Sequence, residues 1–191
     1  MSNVLVISGS PSPTSKTELL AGHVARRLAE YEWRAGHLRV RTLPAAPLLR
    51  ADPAEPAIAA AVERVARADG IVLATPAYKA SFSGLLKTFL DVLPQYGFTG
   101  KAVLPLATGG SPAHVLMLDY ALRPVVHSLG ARHVVQGFFL LDTHLEPDVH
   151  RGTHPDTPTV AEGGPLRVRP ESARMLDEVI EQFRKALIAA P

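Results

Sequence analysis

The sequence predicts an α/β protein built on a doubly wound, five-stranded parallel sheet with helices on both faces. Short continuous apolar runs, such as residues 4–8 and 71–74, are typical of strands buried on both sides. These runs alternate with longer segments whose apolar residues recur at helical spacing. The chain has 191 residues, of which 47% are hydrophobic and 20% charged, enough for a single domain over residues 1–191. Right-handed crossovers then favour the strand order 2-1-3-4-5.

The first half of the chain is predicted to supply three strands and three helices. Ser83 stands at an N-cap position, and the leucines after it recur at helical spacing. The expected order is strand 4–8, helix 15–31, strand 37–43, a Pro-rich connector 44–56, helix 55–67, strand 71–74 and a helix after Ser83.

The second half is predicted to supply two further strands. Pro105 removes a donor inside the strand at 100–108, so we expect that strand to bend or to end its pairing there. Pro124 is expected to kink the following helix. The predicted order is strand 100–108, helix 111–129, strand 131–141, a long loop over 142–169 and a closing helix over 170–189.

Composition narrows the range of functions. The chain has no cysteine, which excludes disulfides, thiolate metal sites and thiol catalysis, so any redox chemistry requires a bound cofactor. The formal charge of +2 comes from scattered Lys and Arg, which argues against nucleic-acid binding. No apolar run reaches the ~18 residues of a membrane span, and the chain enters a strand without a signal peptide. We therefore expect a cytoplasmic protein.

The loop at residues 8–17, SGSPSPTSKT, is a candidate phosphate site. Its hydroxyl groups come from Ser10, Ser15 and Thr17, and Lys16 adds a positive charge. The loop precedes a helix, whose N-terminus favours anions. It matches neither a Walker loop nor the three-glycine dinucleotide fingerprint. The alternative is that the loop is only a helix cap and turn.

The segment at residues 75–91, TPAYKASFSGLLKTFLD, joins a strand end to a capped helix. Backbone amides at residues 77–79 are placed to meet the edge of a flat heteroaromatic ring, with Tyr78 near its face or rim. The alternative is that Tyr78 and Lys79 are exposed loop side chains. For Lys87 and Asp91 we favour a helical i, i+4 ion pair.

A third loop follows the fourth predicted strand, at Thr108, Gly109 and Gly110. Paired glycines allow a backbone to pass close to a ligand, although such pairs are common at strand ends. Loops at the carboxyl ends of parallel strands open on one edge of the sheet. The three loops are therefore expected to converge on one site.

These segments resemble a known family. SGSP, the segment at 75–91 and LPLATGGSPAHVLMLDYALRP are similar to NAD(P)H-dependent FMN reductases of flavodoxin-like fold, closest to the branch serving alkanesulfonate monooxygenases. The resemblance covers residues 4–141. It implies that FMN's phosphate binds at Ser10, Ser15, Lys16 and Thr17; that its ring contacts Pro76, Ala77, Tyr78, Lys79 and Ser81; and that Thr108, Gly109 and Gly110 flank the ring's other end.

The resemblance also concerns assembly. In this branch, a tyrosine inserted into the fourth helix distorts that helix and lies at a tetramer interface near the flavin. Tyr120 matches it, which implies a homo-oligomer, dimer or tetramer; the alternative is an aromatic that packs the helix on a neighbour. Ser12 replaces an arginine common in the branch.

Histidines provide the other candidates. His144, His150 and His154 fall in the predicted 142–169 loop, where metal ligands or general acids are conceivable. Their irregular spacing favours surface histidines, and no metal site is predicted. His114 and His127 are expected to be packed or at an interface. No Ser, His and Asp arrangement indicates hydrolysis.

We therefore predict an enzyme in which NADPH or NADH reduces FMN and the reduced flavin passes to a two-component monooxygenase of the sulfonate or sulfur assimilation type. No catalytic side chain is assigned, since hydride moves between cofactors. The main alternative keeps FMN bound and reduces a quinone, azo dye or metal oxyanion. A flavodoxin-like electron carrier and a flavin-free interaction domain are further alternatives.

Overall fold

The computed structural model describes residues 2–31, 33–147, 149–151, 158–160 and 164–189. Its core is a parallel sheet with the order β2-β1-β3-β5-β6, and the short strand β7 continues the last position beside β5. The predicted doubly wound sheet and its order are confirmed. The strands of this sheet are β1 (Asn3–Ser8), β2 (Arg34–Arg39), β3 (Gly70–Tyr78), β4 (Ser81–Phe82), β5 (Ala102–Gly109), β6 (His133–Val134) and β7 (Phe138–Leu141).

Helices cover both faces of the sheet. The first and last helices pack with Val4, Val6 and Leu104 on one face, while the middle helices pack with Leu5, Ile7 and Val103 on the other. Residues on each strand thus alternate between two cores, as expected of a sheet buried on both sides. The helices are α1 (Lys16–Ala29), α2 (Ala45–Leu49), α3 (Pro56–Arg67), α4 (Gly84–Val92), α5 (Arg123–Ser128) and α6 (Pro170–Ala189).

The second strand lies earlier than predicted. The alternation over residues 37–43 indicated a strand there, but β2 ends at Arg39, and Val40–Thr42 forms a 3₁₀ turn. Val40 is fully buried by that turn. The apolar residue therefore reaches the core through a change of chain direction and not through the pleat of a strand.

Pro105 interrupts pairing on one side of its strand only. β5 continues through it and stays in register with β3, where Pro105 lies opposite Leu73. On its other side, β5 pairs with β6 as far as Val134 and with β7 from Phe138 onwards, so the pairing is interrupted between these two residues. A proline cannot donate to a ladder, so the predicted loss of pairing falls on this neighbour.

The segment predicted as a long loop at 142–169 contains regular structure, which corrects that prediction. After a 3₁₀ turn at Asp142–His144, two antiparallel pairs form: β8 with β11, and β9 with β10. Strands of three residues carry too little periodicity to be recognised. His154 and the side chain of His150 lie outside the described residues. The four strands are β8 (Leu145–Pro147), β9 (Val149–Arg151), β10 (Pro158–Val160) and β11 (Leu166–Val168).

The helix predicted at 111–129 is divided. A 3₁₀ turn at Pro112–His114 leads to a π-helix at Leu118–Leu122, and α5 follows with Pro124 in its first turn. Pro124 therefore begins an α-helix instead of kinking one, because a first-turn N–H has no partner to lose.

Candidate functional site

The three predicted loops meet at the carboxyl edge of the central sheet. In the strand register Ser8 lies opposite Ala74, and Pro76 lies opposite Thr108. A backbone hydrogen bond of 2.8 Å from Gly9 N to Ala74 O extends the pairing past the end of β1. The sheet thus brings the first, second and third loops together, as the sequence predicted.

The first loop is organised by two hydroxyl groups. Ser15 caps α1, since its Oγ accepts from the Glu18 backbone N–H at 3.1 Å. Ser10 is fully buried, and its Oγ lies 2.5 Å from Ser15 Oγ. The hydroxyls therefore lie beside the positive end of a 14-residue helix, where first-turn N–H groups lack intrahelical acceptors. This arrangement fits a phosphate.

Ser83 ties the first loop to the second. Its Oγ donates to Gly9 O at 2.6 Å and caps α4 by accepting from Leu86 N at 3.1 Å. Its own N–H donates to Thr75 Oγ1 at 2.9 Å. A Cβ on Gly9 would lie 2.5 Å from that of Leu86, so the loop can approach α4 this closely only with glycine.

The second loop is a tight hairpin between β3 and β4. Tyr78 pairs with Ser81, and the two residues between them are left-handed, with φ of 51° at Lys79 and 60° at Ala80. Two central residues with positive φ fit a type I′ turn, which normally uses Asn or Gly. Non-glycine residues are strained there, and such strain often accompanies binding sites. Tyr78 is half exposed at the end of β3.

The third loop is joined to the first through threonines. Thr108 Oγ1 lies 2.5 Å from Thr17 Oγ1, and both side chains are buried. A Cβ on Gly109 would lie 2.8 Å from Phe139 Cζ and 3.2 Å from the Cβ of Ala77. The missing side chain at Gly109 therefore lets Phe139 and Ala77 pack against this strand end. The next residue, Gly110, is exposed, and its bare backbone leaves room for a planar ligand.

Lys16 connects the first loop to the chain that follows β7. Its ammonium donates to the carbonyl of Asp142, the first residue after β7. Ser15, Lys16 and Thr17 therefore lie at the start of α1, and Ser10 joins them through its contact with Ser15.

A buried ionic group that was not predicted from the sequence lies behind the first loop. Glu18 is fully buried and accepts from Arg39 Nε and Arg41 Nη1, each at 2.8 Å. His37 Nε2 lies 3.5 Å from Glu18 Oε1. Burial lowers the pKa of His37, the nearby arginines (Arg39, Arg41 and Arg64) lower it further, and Glu18 opposes them. The available signal was a carboxylate directly before two apolar leucines, together with the alternating arginines Arg39 and Arg41.

The structure also shows the partners of Lys87 and of two histidines named in the sequence analysis. Lys87 Nζ bonds both carboxylate oxygens of Asp91, at 2.7 and 2.9 Å, which confirms the ion pair. His127 Nδ1 contacts Ala131 O at 3.0 Å, and His144 Nδ1 contacts Ser172 Oγ at 2.8 Å. These histidines therefore bond to groups away from the three loops.

Tyr120 lies within the π-helix at Leu118–Leu122, so the predicted local distortion is confirmed. Its side chain is 79% exposed, and the preceding turn exposes Val115 and Leu116 as well. An exposed aromatic beside exposed aliphatic residues forms an apolar surface.

The described part of the chain contains neither a metal-binding cluster nor a membrane-spanning helix. No group of three or more His, Asp or Glu side chains there is placed to hold a metal ion. No helix in the same residues has the length and apolar character needed to cross a bilayer.

The arrangement can bind and orient a flat, phosphate-bearing ligand. Hydroxyls and a helix N-terminus stand at one end, and a strained hairpin and bare glycine backbone stand at the other.

Comparison with known proteins gave concordant matches. Residues 2–146 match the family described as NADPH-dependent FMN reductase. The chain is 35% identical to an FMN reductase (NADPH) of Escherichia coli, over 96% of this chain and 89% of that protein. It is 44% identical to an FMN reductase (NADPH) of Pseudomonas putida, over 74% of this chain and 72% of that protein. An apo crystal structure of an NADH:FMN oxidoreductase is similar at a TM-score of 0.83 and 43% identity, over 100% of this chain and 92% of that one.

Proposed function

This chain belongs to the NADPH-dependent FMN reductase family, and from that premise we propose that it delivers reduced FMN to a two-component monooxygenase. The chain is an NAD(P)H:FMN oxidoreductase. The relatives and the similar structure are named for both NADPH and NADH, so either nucleotide is a candidate donor. A monooxygenase acting on sulfonates or other sulfur compounds in the cytoplasm is the proposed recipient, because of the resemblance in the three motifs.

We assign the flavin phosphate to the first loop. Ser10, Ser15, Lys16 and Thr17 combine hydroxyl donors and a cation around the N-terminus of α1, and this concentration of donors supports the assignment. The second and third loops are assigned to the ring, through Pro76, Ala77, Tyr78, Lys79 and Ser81 on one side and Thr108, Gly109 and Gly110 on the other.

Hydride transfer from a nicotinamide to the flavin ring is the chemistry that the two bound cofactors would supply. The protein's residues hold the two reactants in the productive geometry, which lowers the entropic barrier. The Lys79–Ala80 turn and Gly109 fix where the ring lies. No proton-transferring side chain is assigned to the site.

One observation carries the proposal that the flavin is released. The ring-binding hairpin is exposed, with Tyr78 half open to solvent at the sheet edge, so a flavin there can exchange without rearrangement of the core. A prosthetic flavin that reduces quinones or azo dyes would instead be retained.

The experiment follows NADPH oxidation with free FMN or with a quinone as acceptor, after gel filtration of the flavin-loaded protein. We expect turnover of free FMN and loss of flavin on the column. Retained flavin, with quinone reduced and free FMN not turned over, would establish the alternative. Oxidation of NADPH without a separate reductase also excludes a simple electron carrier.

We propose further that the apolar surface at Val115, Leu116 and Tyr120 is covered in a homo-oligomer. Its exposure on a described helix segment supports this assignment, because large apolar patches are usually buried against a partner. Light scattering should give a dimer or tetramer mass, and Tyr120→Ser should lower it. A monomer at all concentrations would refute the assembly while leaving the reductase proposal intact.

A further inference from the structure

A buried ionic group stands directly behind the first loop. Both carboxylate oxygens of Glu18 are taken up by guanidinium donors, Arg39 Nε and Arg41 Nη1, at 2.8 Å each. Arg39 lies level with Ser8 in the pairing of β1 with β2, next to the start of the loop. A buried carboxylate is stable only with such donors, so the three side chains hold one another in place. Glu18, Arg39 and Arg41 are called the Glu18 clamp below.

The Glu18 clamp continues into the hydroxyls assigned to the phosphate. The backbone N–H of Glu18 donates to Ser15 Oγ at 3.1 Å, and that oxygen lies 2.5 Å from Ser10 Oγ. The side chain of Glu18 is anchored to β2 and the following turn, while its backbone anchors the cap. Glu18 therefore holds the first turn of α1 in two ways, through its side chain and through its backbone N–H.

We propose that the Glu18 clamp is a positioning device for the flavin phosphate and so determines the preference for FMN over riboflavin. Riboflavin has the same ring and lacks the phosphate, so only FMN senses the geometry of the first turn. This inference rests on the proposed phosphate site. The Glu18 clamp acts through Ser15 and the first-turn N–H groups, not by touching the flavin.

Charge alone makes the opposite prediction. Glu18 places a negative charge between two guanidinium groups behind the first loop. Removing that charge would make the region more positive and attract a phosphate more strongly. Positioning predicts instead that the loosened helix turn weakens phosphate binding. The sign of the change in FMN affinity therefore separates the two effects.

The test measures dissociation constants of FMN and riboflavin, by quenching of flavin fluorescence, for Glu18→Gln. We expect the constant for FMN to rise about ten-fold and that for riboflavin by less than about two-fold. The loss should appear in the KM for FMN more than in kcat, because the Glu18 clamp acts on the phosphate end of the flavin. Glu30→Gln is the matched control, an exposed glutamate at the other end of α1, and should alter neither constant. Tighter FMN binding, or equal weakening of both flavins, would overturn the inference.

Two further variants cover the remaining outcomes. If Glu18→Gln does not fold, Arg41→Lys keeps the charge but loses the fixed guanidinium geometry, and the same selective loss of FMN affinity is expected; an unchanged ratio of the two constants would refute the Glu18 clamp. Ser15→Ala tests the phosphate site itself. If it leaves that ratio unchanged, the proposed phosphate site fails; if it alters the ratio and Glu18→Gln does not, only the Glu18 clamp fails.

Discussion

Thr17 Oγ1 and Thr108 Oγ1 lie 2.5 Å apart in a buried setting, and their hydrogen bond joins α1 to the carboxyl end of β5. These residues are 91 positions apart in sequence. The bond therefore closes the first loop against the third across the intervening strand β3.

Replacing one of these threonines with valine should destabilise the protein more than replacing both. Either single variant leaves a buried hydroxyl without its partner, which costs about 1–3 kcal/mol. The double variant Thr17→Val/Thr108→Val removes both polar groups at nearly constant shape and should lie within about 1 kcal/mol of the parent. Urea denaturation of the four proteins gives the coupling energy, and strictly additive losses would contradict the direct bond.

Ser83→Ala should loosen the connection between the first and second loops. The variant loses the cap of α4, worth about 1 kcal/mol, and leaves Gly9 O without its donor, which adds about 1 kcal/mol. We expect a lower midpoint in urea and weaker FMN binding. Ser128→Ala removes an exposed hydroxyl bonded within its own helix and should change neither. Unaltered FMN affinity in Ser83→Ala would show that the first loop does not need this tie.

Ala80→Gly should stabilise the free protein by up to about 1 kcal/mol, because glycine adopts the left-handed region without the steric cost of a Cβ. Ala51, with φ of 50°, offers a matched control at a left-handed position outside the three loops. Both variants should raise the melting temperature, but only Ala80→Gly should weaken FMN binding, through a more flexible turn. Equal FMN affinities in the two variants would show that the Lys79–Ala80 turn does not contribute to flavin binding.

Stability should fall as the pH drops below neutrality. Burial lowers the pKa of both His23 and His37 below 6.5, so the unfolded chain binds protons before the folded one does. The contribution of each is complete above pH 6.5 and is lost as the pH falls towards the folded pKa. The difference between the urea midpoints at pH 7.5 and pH 5.5 should be smaller in His37→Gln than in the parent protein. The exposed His133→Gln should retain the parent's dependence; a steeper loss in His37→Gln would reverse the assignment.

The strands that support the site were predictable because burial on both faces leaves a simple signal. β1, β3 and β5 read as continuous apolar runs, and β5 is buried along its whole length. β2 is half exposed at the sheet edge, and the buried Val40 beyond its end extended the apparent alternation. β4 was not predicted, because the turn before it is formed by Lys79 and Ala80 and not by the Asn or Gly residues that normally mark a two-residue hairpin.

The site was predictable as a set of loops but not as a network. Small hydroxylated residues before a helix indicated the phosphate site, and the parallel sheet placed the three loops at one edge. The bonds from Ser83 to Gly9 and from Thr17 to Thr108 join residues far apart in sequence, so local pattern could not reveal them. The arginine partners of Glu18 could not be predicted either, because they depend on how β2 packs.

Gly109 and Phe139 restrict each other's evolution. A side chain at position 109 would run into the Phe139 ring at 2.8 Å and crowd Ala77, so substitutions there are admissible only together with a smaller residue at 139. In a library randomised at both positions, surviving clones should show inversely related side-chain volumes. The two sites would then change as a pair during divergence, because enlarging one without reducing the other would push the end of β5 away from Phe139.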